Sequence, residues 1–264
     1  MNFELSEEQR MWRSAVRNFA AQHVKPQAAE FDEKAEPNLA AIKKMAALGL
    51  LGLTIPEEYG GAGMDTLSAA LAIEELGWAD GGTALSISAH NGLGCAPIVK
   101  FGSQEQKQTW LPGLATGETG LGALALTEPG AGSDLAGGVS TRAEIADSHW
   151  VINGSKAWIT NASLAPVIVT LCRTNPAAGN SGFSLILVPR DTPGLHIHPP
   201  EKKMGVRASP TNAVTYDNVR VPVENLLGQE GQGLHQTLEI LDGGRISIGA
   251  LAIGIARAAH EEAI

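Results

Sequence analysis

The chain has 264 residues, 44% of them hydrophobic and 18% charged, with 19 Lys+Arg against 28 Asp+Glu and a formal net charge of −9. That length builds a real core in one large domain or two modest ones, and the composition excludes disorder as the default state. The acidic balance, with Lys43-Lys44 and Lys202-Lys203 the only basic doublets, excludes nucleic acid as a main partner, because counterion release needs clustered Lys and Arg.

Cys95 and Cys172 are the only cysteines. They are too few for a disulfide framework and lack the spacing of a zinc site, so both read as buried thiols and no metal is expected. Residues 1–10 (MNFELSEEQR) are acidic without an apolar core, unlike a signal or transit peptide. The longest apolar runs, 46–53 and 246–256, fall short of the ~20 residues a membrane span needs. A soluble protein of a reducing, cytoplasmic compartment, without a membrane partner, is expected.

The first region, residues 1–120, reads as helical. Ser6 with Gln9 three residues on, followed by Met11, Val16 and Phe19, forms a capped helix start. A second helix spans 39–48 and ends at Gly49, a third spans 66–76, and a fourth spans 83–101. Ser103 opens one more, which Pro112-Gly113 is expected to close. From about Leu121 the pattern becomes strand-like. Residues 122–126 are short and apolar, and 150–159 read as two strands around an Asn153-Gly154 turn. The runs 167–172, 183–188 and 213–221 complete a β-domain over 121–230, expected as a small barrel or sandwich. Residues 231–264 return to helical texture as segments 234–241 and 245–264. Their apolar stripe of Ile246, Ala250, Ile253 and Ile255 calls for a partner surface. The fold class is therefore α+β and multidomain: an all-helical N-terminal domain, the β-domain, and the start of a C-terminal helical bundle.

Several motifs fail on inspection. Residues 130–135 begin like a GxGxxG fingerprint, but Leu135 stands at the third glycine. Residues 228–233 lack the GK[ST] of a phosphate loop, His196 and His198 have no third ligand nearby, and no GxSxG elbow exists. Two stretches say more. In 124–134 (LALTEPGAGSD) a strand runs into hydroxyls, an X-Pro turn and small residues, exposing backbone N–H groups with little bulk. That suits a planar, multiply hydrogen-bonding ligand, or equally a structural loop with Ser133 capping a helix onto Asp134. In 153–161 (NGSKAWITN) strand alternation puts Trp158 and Thr160 on one face. They could pack against a ring system and bond its edge, or be a core Trp beside an exposed Thr.

Taken with 51–61 (LGLTIPEEYGG), 203–209 (KMGVRAS) and 242–246 (DGGRI), these stretches resemble the acyl-CoA dehydrogenase family, in the family's order and along essentially the whole chain. The resemblance implies a homotetrameric flavoprotein of fatty-acid β-oxidation that binds FAD between the β-domain and the C-terminal helices. Leu124, Leu126, Thr127, Gly132, Ser133, Trp158, Ile159 and Thr160 would bind the cofactor. Within that set, Leu126 and Thr127 would bond the pyrimidine side of the ring, Trp158 would pack on it, and Thr160 would meet its reactive edge. Ser133, Asp242, Gly243, Gly244 and Arg245 would contact acyl-CoA. The implied reaction is α,β-dehydrogenation to the trans-2-enoyl-CoA, with electrons passed to an electron-transfer flavoprotein. The catalytic glutamate of most members is expected beyond Ile264. A minority branch carries it immediately before the arginine that is here Arg245, but that position is Gly244, so no catalytic residue is assigned within the chain. A catalytically silent FAD- or acyl-CoA-binding subunit, and an acyl-CoA oxidase, are the alternatives. The Gly244-Arg245-Ile246 version suggests short or branched acyl groups, with butyryl first.

Overall fold

The structure, a computed structural model, describes residues 4–264; Met1, Asn2 and Phe3 of the acidic opening stretch lie outside the described residues. Helix α1 (Glu7–His23) begins where the sequence predicts. Ser6 Oγ accepts from the Gln9 N–H at 3.1 Å, and Gln9 Oε1 accepts from the Ser6 N–H at 3.0 Å. Helices α2 (Ala28–Lys34) and α3 (Leu39–Met45) follow; α3 tightens into a 3₁₀ turn that stops at Gly49, at φ 70°. Helix α4 (Thr66–Ala79) runs past Leu76 to Asp80, whose carboxylate caps α5 (Gly81–Ala89).

The predicted single helix over 83–101 is instead α5, one wide π turn at His90–Cys95, and α6 (Ala96–Phe101). The widened turn brings Gly94 flat against the chain leading into the sheet. A Cβ on Gly94 would stand 2.3 Å from the Gly122 carbonyl carbon and 2.7 Å from the Ala123 nitrogen. Helix α7 (Gln104–Thr116) passes through Pro112 and ends at Gly117, contrary to the expected stop at Pro112-Gly113. Pro112 and Gln108, one turn before it, are both exposed, so water meets the carbonyl that lacks an amide partner.

The sheet comprises β1 (Ala123–Ala125), β2 (Arg142–Ala146), β3 (His149–Thr160), β4 (Val167–Arg173), β5 (Phe183–Pro189), β6 (Leu195–Pro200), β7 (Thr211–Pro222) and β8 (Leu226–Leu227), with the short helix α8 (Leu135–Gly138) between β1 and β2. Its order is β6-β7-β3-β2-β4-β5-β8, and β1 pairs with β4. It curls around one cluster of Trp150, Ile152, Ile168, Ile186, Val214 and Tyr216 without closing into a full barrel. Alternate residues of β4 and β5, including Val169, Leu171, Phe183 and Leu185, pack outward against Ile98, Leu111 and Leu114 of the helices. Both faces are thus covered, which explains why these two strands read as unbroken apolar runs.

The Asn153-Gly154 hairpin does not form. β3 runs straight through it, and the reversal lies earlier, at Asp147 and Ser148, with φ 50° and 59°. Asn153 instead faces a bulge in β7, where its side-chain oxygen accepts from the Asn218 N–H at 2.8 Å. Gly154 is needed for closeness, since a Cβ there would meet Thr141 Oγ1 at 2.4 Å.

The two C-terminal segments are one helix, α9 (Gly233–Ala263), continuous through Gly243-Gly244. Those glycines cost the helix about 1 kcal/mol each, but it is held on both sides of them. Leu234 and Ile240 join the sheet-side core, and Ala250 and Leu251 join the core of α1, α3 and α4. Gly254 lies against α4, where a Cβ would stand 2.1 Å from the Glu74 carbonyl oxygen. The buried Glu75 carboxylate takes bonds from Arg13 Nε at 2.6 Å, Arg257 Nη1 at 2.9 Å and Arg17 Nη1 at 3.1 Å. Burial opposes its charge, but the bonds from Arg257, Arg13 and Arg17 outweigh that and hold its carboxyl below the usual range. Of the apolar stripe expected from the sequence, Ile246, Ile253 and Ile255 lie exposed along α9, as does Ile248, whereas Ala250 is buried in the core of α1, α3 and α4.

Gly94→Ala must separate two backbones that touch. Urea unfolding is expected to show a loss of about 2–3 kcal/mol, the range of a severe overpacking change; an unchanged midpoint would refute this contact.

Candidate functional site

Two depressions meet where β1 and β3 end beneath α5, the π turn and α9. The smaller, about 180 Å³, is lined by Leu124, Leu126, Thr127, Trp158, Ile159 and Thr160 of the sheet domain, with Ala89, Leu93 and Leu241 above them. The larger, about 340 Å³, is lined by Leu85, Ser88, Ala89, Leu93, Thr160, Leu241, Gly244, Arg245 and Ile248. Thr160, Ala89, Leu93 and Leu241 belong to both, so they form one two-lobed site.

The sheet side is shaped by a bulge. Lys156 pairs with Val214 and Ile159 with Asn212, so Ala157 and Trp158 together oppose Ala213. Trp158 takes φ 62° and is 60% exposed. Simple alternation, from which Trp158 and Thr160 were expected on one face, is therefore broken between them. Both still line the smaller lobe, because the extra residue re-aims the indole. A large aromatic residue held in the left-handed region and left in solvent is a costly arrangement, of the kind that gathers at functional sites.

The β1 side is held by charge. Lys156, 1% exposed, donates from Nζ to the Leu126 carbonyl oxygen and to Glu128 Oε1, both at 2.9 Å. Glu128 also accepts from the Ser140 N–H at 2.8 Å, the Ser140 hydroxyl at 2.6 Å and the Thr141 N–H at 2.9 Å. Burial works against the Glu128 charge. The Lys156 ammonium and the Ser140 and Thr141 donors overcome it, holding the carboxyl at about 2. Burial likewise lowers the Lys156 pKa and Glu128 opposes the change, the two forming an ion pair at 2.9 Å. The Ala157 N–H donates to the Thr127 carbonyl at 2.9 Å, and Glu128 and Ala131 bond each other's backbones.

These contacts consume the carbonyls of residues 126–128 and leave donors over. Among the described residues, the N–H groups of Leu126 and Thr127 and the hydroxyls of Thr127 and Thr160 have no protein partner. A shallow apolar trough edged by free donors fits a flat ring with several acceptors, as FAD presents, so the residues present suit that cofactor.

Gly132 and Ser133 lie on the exposed outer part of the loop and line neither lobe. Ser133 does not cap the short helix; Asp134 does, its Oδ1 accepting from the Gly137 N–H at 2.8 Å. Gly244 and Arg245 line the larger lobe, whereas Asp242 and Gly243 stand outside it; the Asp242 carboxylate pairs with Arg245 Nη1 at 3.0 Å. Among the described residues no group of three metal-ligating side chains forms, and no helix is long and apolar enough to cross a membrane. Leu85, Ala89, Leu93, Leu241 and Ile248 escaped the sequence reading, since an apolar helical residue that lines a site looks like one that lines a core. Lys156 and Glu128 sit inside the motifs already quoted, but their burial gave no sequence signal.

The helical domain, the curled sheet and α9 meet in a site with one donor-edged lobe and one apolar lobe. The acyl-CoA dehydrogenase N-terminal domain matches residues 6–118 and the acyl-CoA dehydrogenase middle domain matches residues 123–219. The chain is 51% identical to a probable acyl-CoA dehydrogenase, YngJ, of Bacillus subtilis over 100% of its own length and 69% of the relative's. The butyryl-CoA dehydrogenase structure from Megasphaera elsdenii superposes with a TM-score of 0.93 at 38% identity, covering 98% of this chain and 68% of that one. An acyl-CoA dehydrogenase from Bacillus anthracis complexed with FAD gives a TM-score of 0.86 at 39% identity, over 95% and 42% of the two chains. This chain belongs to the acyl-CoA dehydrogenase family, whose cofactor is FAD.

His90 ties the site to the helical domain. It is fully buried, its Nε2 donating to the Leu51 carbonyl and its Nδ1 accepting from the Gly122 N–H, both at 2.7 Å. Burial lowers its pKa to about 4, against a partial opposing effect of the backbone carbonyls. The unfolded chain takes up this proton below about 6.5, while the fold refuses it until about 4. Stability is therefore expected to fall as pH drops from about 6.5 to about 4, by up to about 3 kcal/mol. His90→Gln should flatten that slope in urea titrations at several pH values. A second loss, between about 4.5 and about 2, follows from Glu128.

Proposed function

We propose that this chain forms the flavin and thioester faces of an enzyme that dehydrogenates acyl-CoA between Cα and Cβ to give the trans-2-enoyl-CoA. The observation that carries this reading is the joining of the two lobes at Thr160, one edged by unpartnered donors and the other apolar. Leu126 and Thr127 offer N–H donors to the pyrimidine side of the ring, Trp158 packs against it, and Thr160 stands at the boundary where ring and acyl chain meet. Bound FAD supplies the acceptor for the β hydrogen as hydride. Leu85, Leu93, Leu241 and Ile248 exclude water from the acyl chain and orient it towards Thr160. Gly244 and Arg245 line the acyl lobe, and Gly132, Ser133, Asp242 and Gly243 serve the outer parts of the two ligands.

The α proton needs an acceptor, and the thioester carbonyl needs hydrogen bonds that stabilise charge as that proton leaves. Among the described residues, no carboxylate lines either lobe. In this reading the base is not among the residues that line either lobe. That same feature supports the alternative of a silent binding subunit. A short acyl group such as butyryl, a cytoplasmic location, a homotetramer and an electron-transfer flavoprotein as acceptor complete the proposal; an oxidase would instead pass electrons to oxygen.

Absorption spectra of the purified chain with FAD, under anaerobic butyryl-CoA, test it. The flavin band is expected to be retained and perturbed by butyryl-CoA; loss of all flavin binding would refute the reading. Thr160→Val removes one hydroxyl and should weaken FAD about fivefold, the effect of one neutral hydrogen bond. Gly244 has room for a side chain, since a Cβ there would stand 3.4 Å from Leu93 Cδ2. Gly244→Glu should thus place a carboxylate at the larger lobe and produce bleaching by butyryl-CoA that the unsubstituted chain lacks. Bleaching equal in both would show that another residue is the base.

A further inference from the structure

The Lys156–Glu128 pair touches neither lobe directly, yet it is built around one peptide group. Lys156 Nζ donates to the Leu126 carbonyl oxygen, and the same peptide plane carries the Thr127 N–H. No peptide bond among the described residues is cis, so that N–H points away from Lys156. It meets no protein acceptor, and Thr127 lines the smaller lobe. An ammonium on the carbonyl end of a peptide polarises it and strengthens the N–H at the other end as a donor. The neighbouring strand locks this orientation, because the Ala157 N–H holds the next carbonyl, that of Thr127, at 2.9 Å.

We propose that Lys156 is a positioning residue that relays its buried positive charge through the Leu126–Thr127 peptide to the ligand in the smaller lobe, favouring the more electron-rich state of that ligand. This rests on the reading of the lobe as the flavin site. Glu128 is the counterweight: its carboxylate, 2.9 Å from the ammonium, offsets part of the charge. The two partners of one ion pair therefore act on the bound ring with opposite signs. A pair that only braced the loop would act with one sign, since removing either partner breaks the same contact.

The test uses the chain loaded with FAD and compares it with Lys156→Met and Glu128→Gln. Circular dichroism reports folding, fluorescence titration reports FAD affinity, and dye equilibration reports the potential of the bound flavin. Lys156→Met is expected to lower the preference for reduced over oxidised flavin about tenfold, which for a two-electron couple is a shift of about 30 mV to more negative potential. Glu128→Gln is expected to shift the potential the other way. Shifts of the same sign, or none, overturn the proposal while the flavin site stands. Failure of the unsubstituted chain to bind FAD overturns both. Should Lys156→Met lose its fold, the sign given by Glu128→Gln decides alone, a positive shift supporting the relay and a negative or absent one refuting it.

Discussion

Two opposite charges buried at the end of β1 organise the site. The turn at 126–128 leaves a strand without entering another, so its carbonyls lack ladder partners, and unpaired buried carbonyls are costly. Lys156 and Glu128 satisfy the groups that the turn and the start of β2 would otherwise strand: the Leu126 carbonyl, the Ser140 N–H and the Thr141 N–H. Burying two ions is expensive, and the expense is offset only where every bond is made. Here the carboxylate receives four, counting Lys156 and the Ser140 hydroxyl. The donors left facing the lobe, from Leu126 and Thr127, are the remainder of that arrangement.

A second constraint sets the distance between layers. Gly94 against Gly122, and Gly254 against the Glu74 carbonyl, let helices approach the sheet entry and each other at backbone contact. His90 then bonds both the helical segment at Leu51 and the linker at Gly122 with a neutral ring. Position, rather than flexibility, is what these contacts provide: Leu93 of the π turn lines both lobes because the turn widens at that place. The long helix α9 adds Leu241, Gly244 and Ile248 to the site while its ends are fixed by two separate cores.

Local signals hold where the physics is local. Ser6 with Gln9, and the stop at Gly49, involve groups a few residues apart, and both form as the sequence implies. The failures are equally physical. Asn153-Gly154 has the chemistry of a hairpin turn, but β7 and Thr141 claim it for a bulge and a close contact. Pro112 lies within its helix because the carbonyl it leaves free faces water. Gly243-Gly244 interrupt the helical pattern without interrupting the helix, since packing at either end outweighs their weak propensity.

The sequence by itself determined the fold class, the order of helical and strand regions, and the stretches that carry the site, because these follow from periodicity, capping and a long ordered resemblance. Only the tertiary structure decided that Trp158 would be turned outward by a bulge, that Gly132, Ser133, Asp242 and Gly243 would stand outside the lobes, and that Lys156 would be buried on Glu128. Those outcomes depend on which strand lies beside which, and on how much water reaches a given side chain. Neither quantity is written in the spacing of residues along one chain.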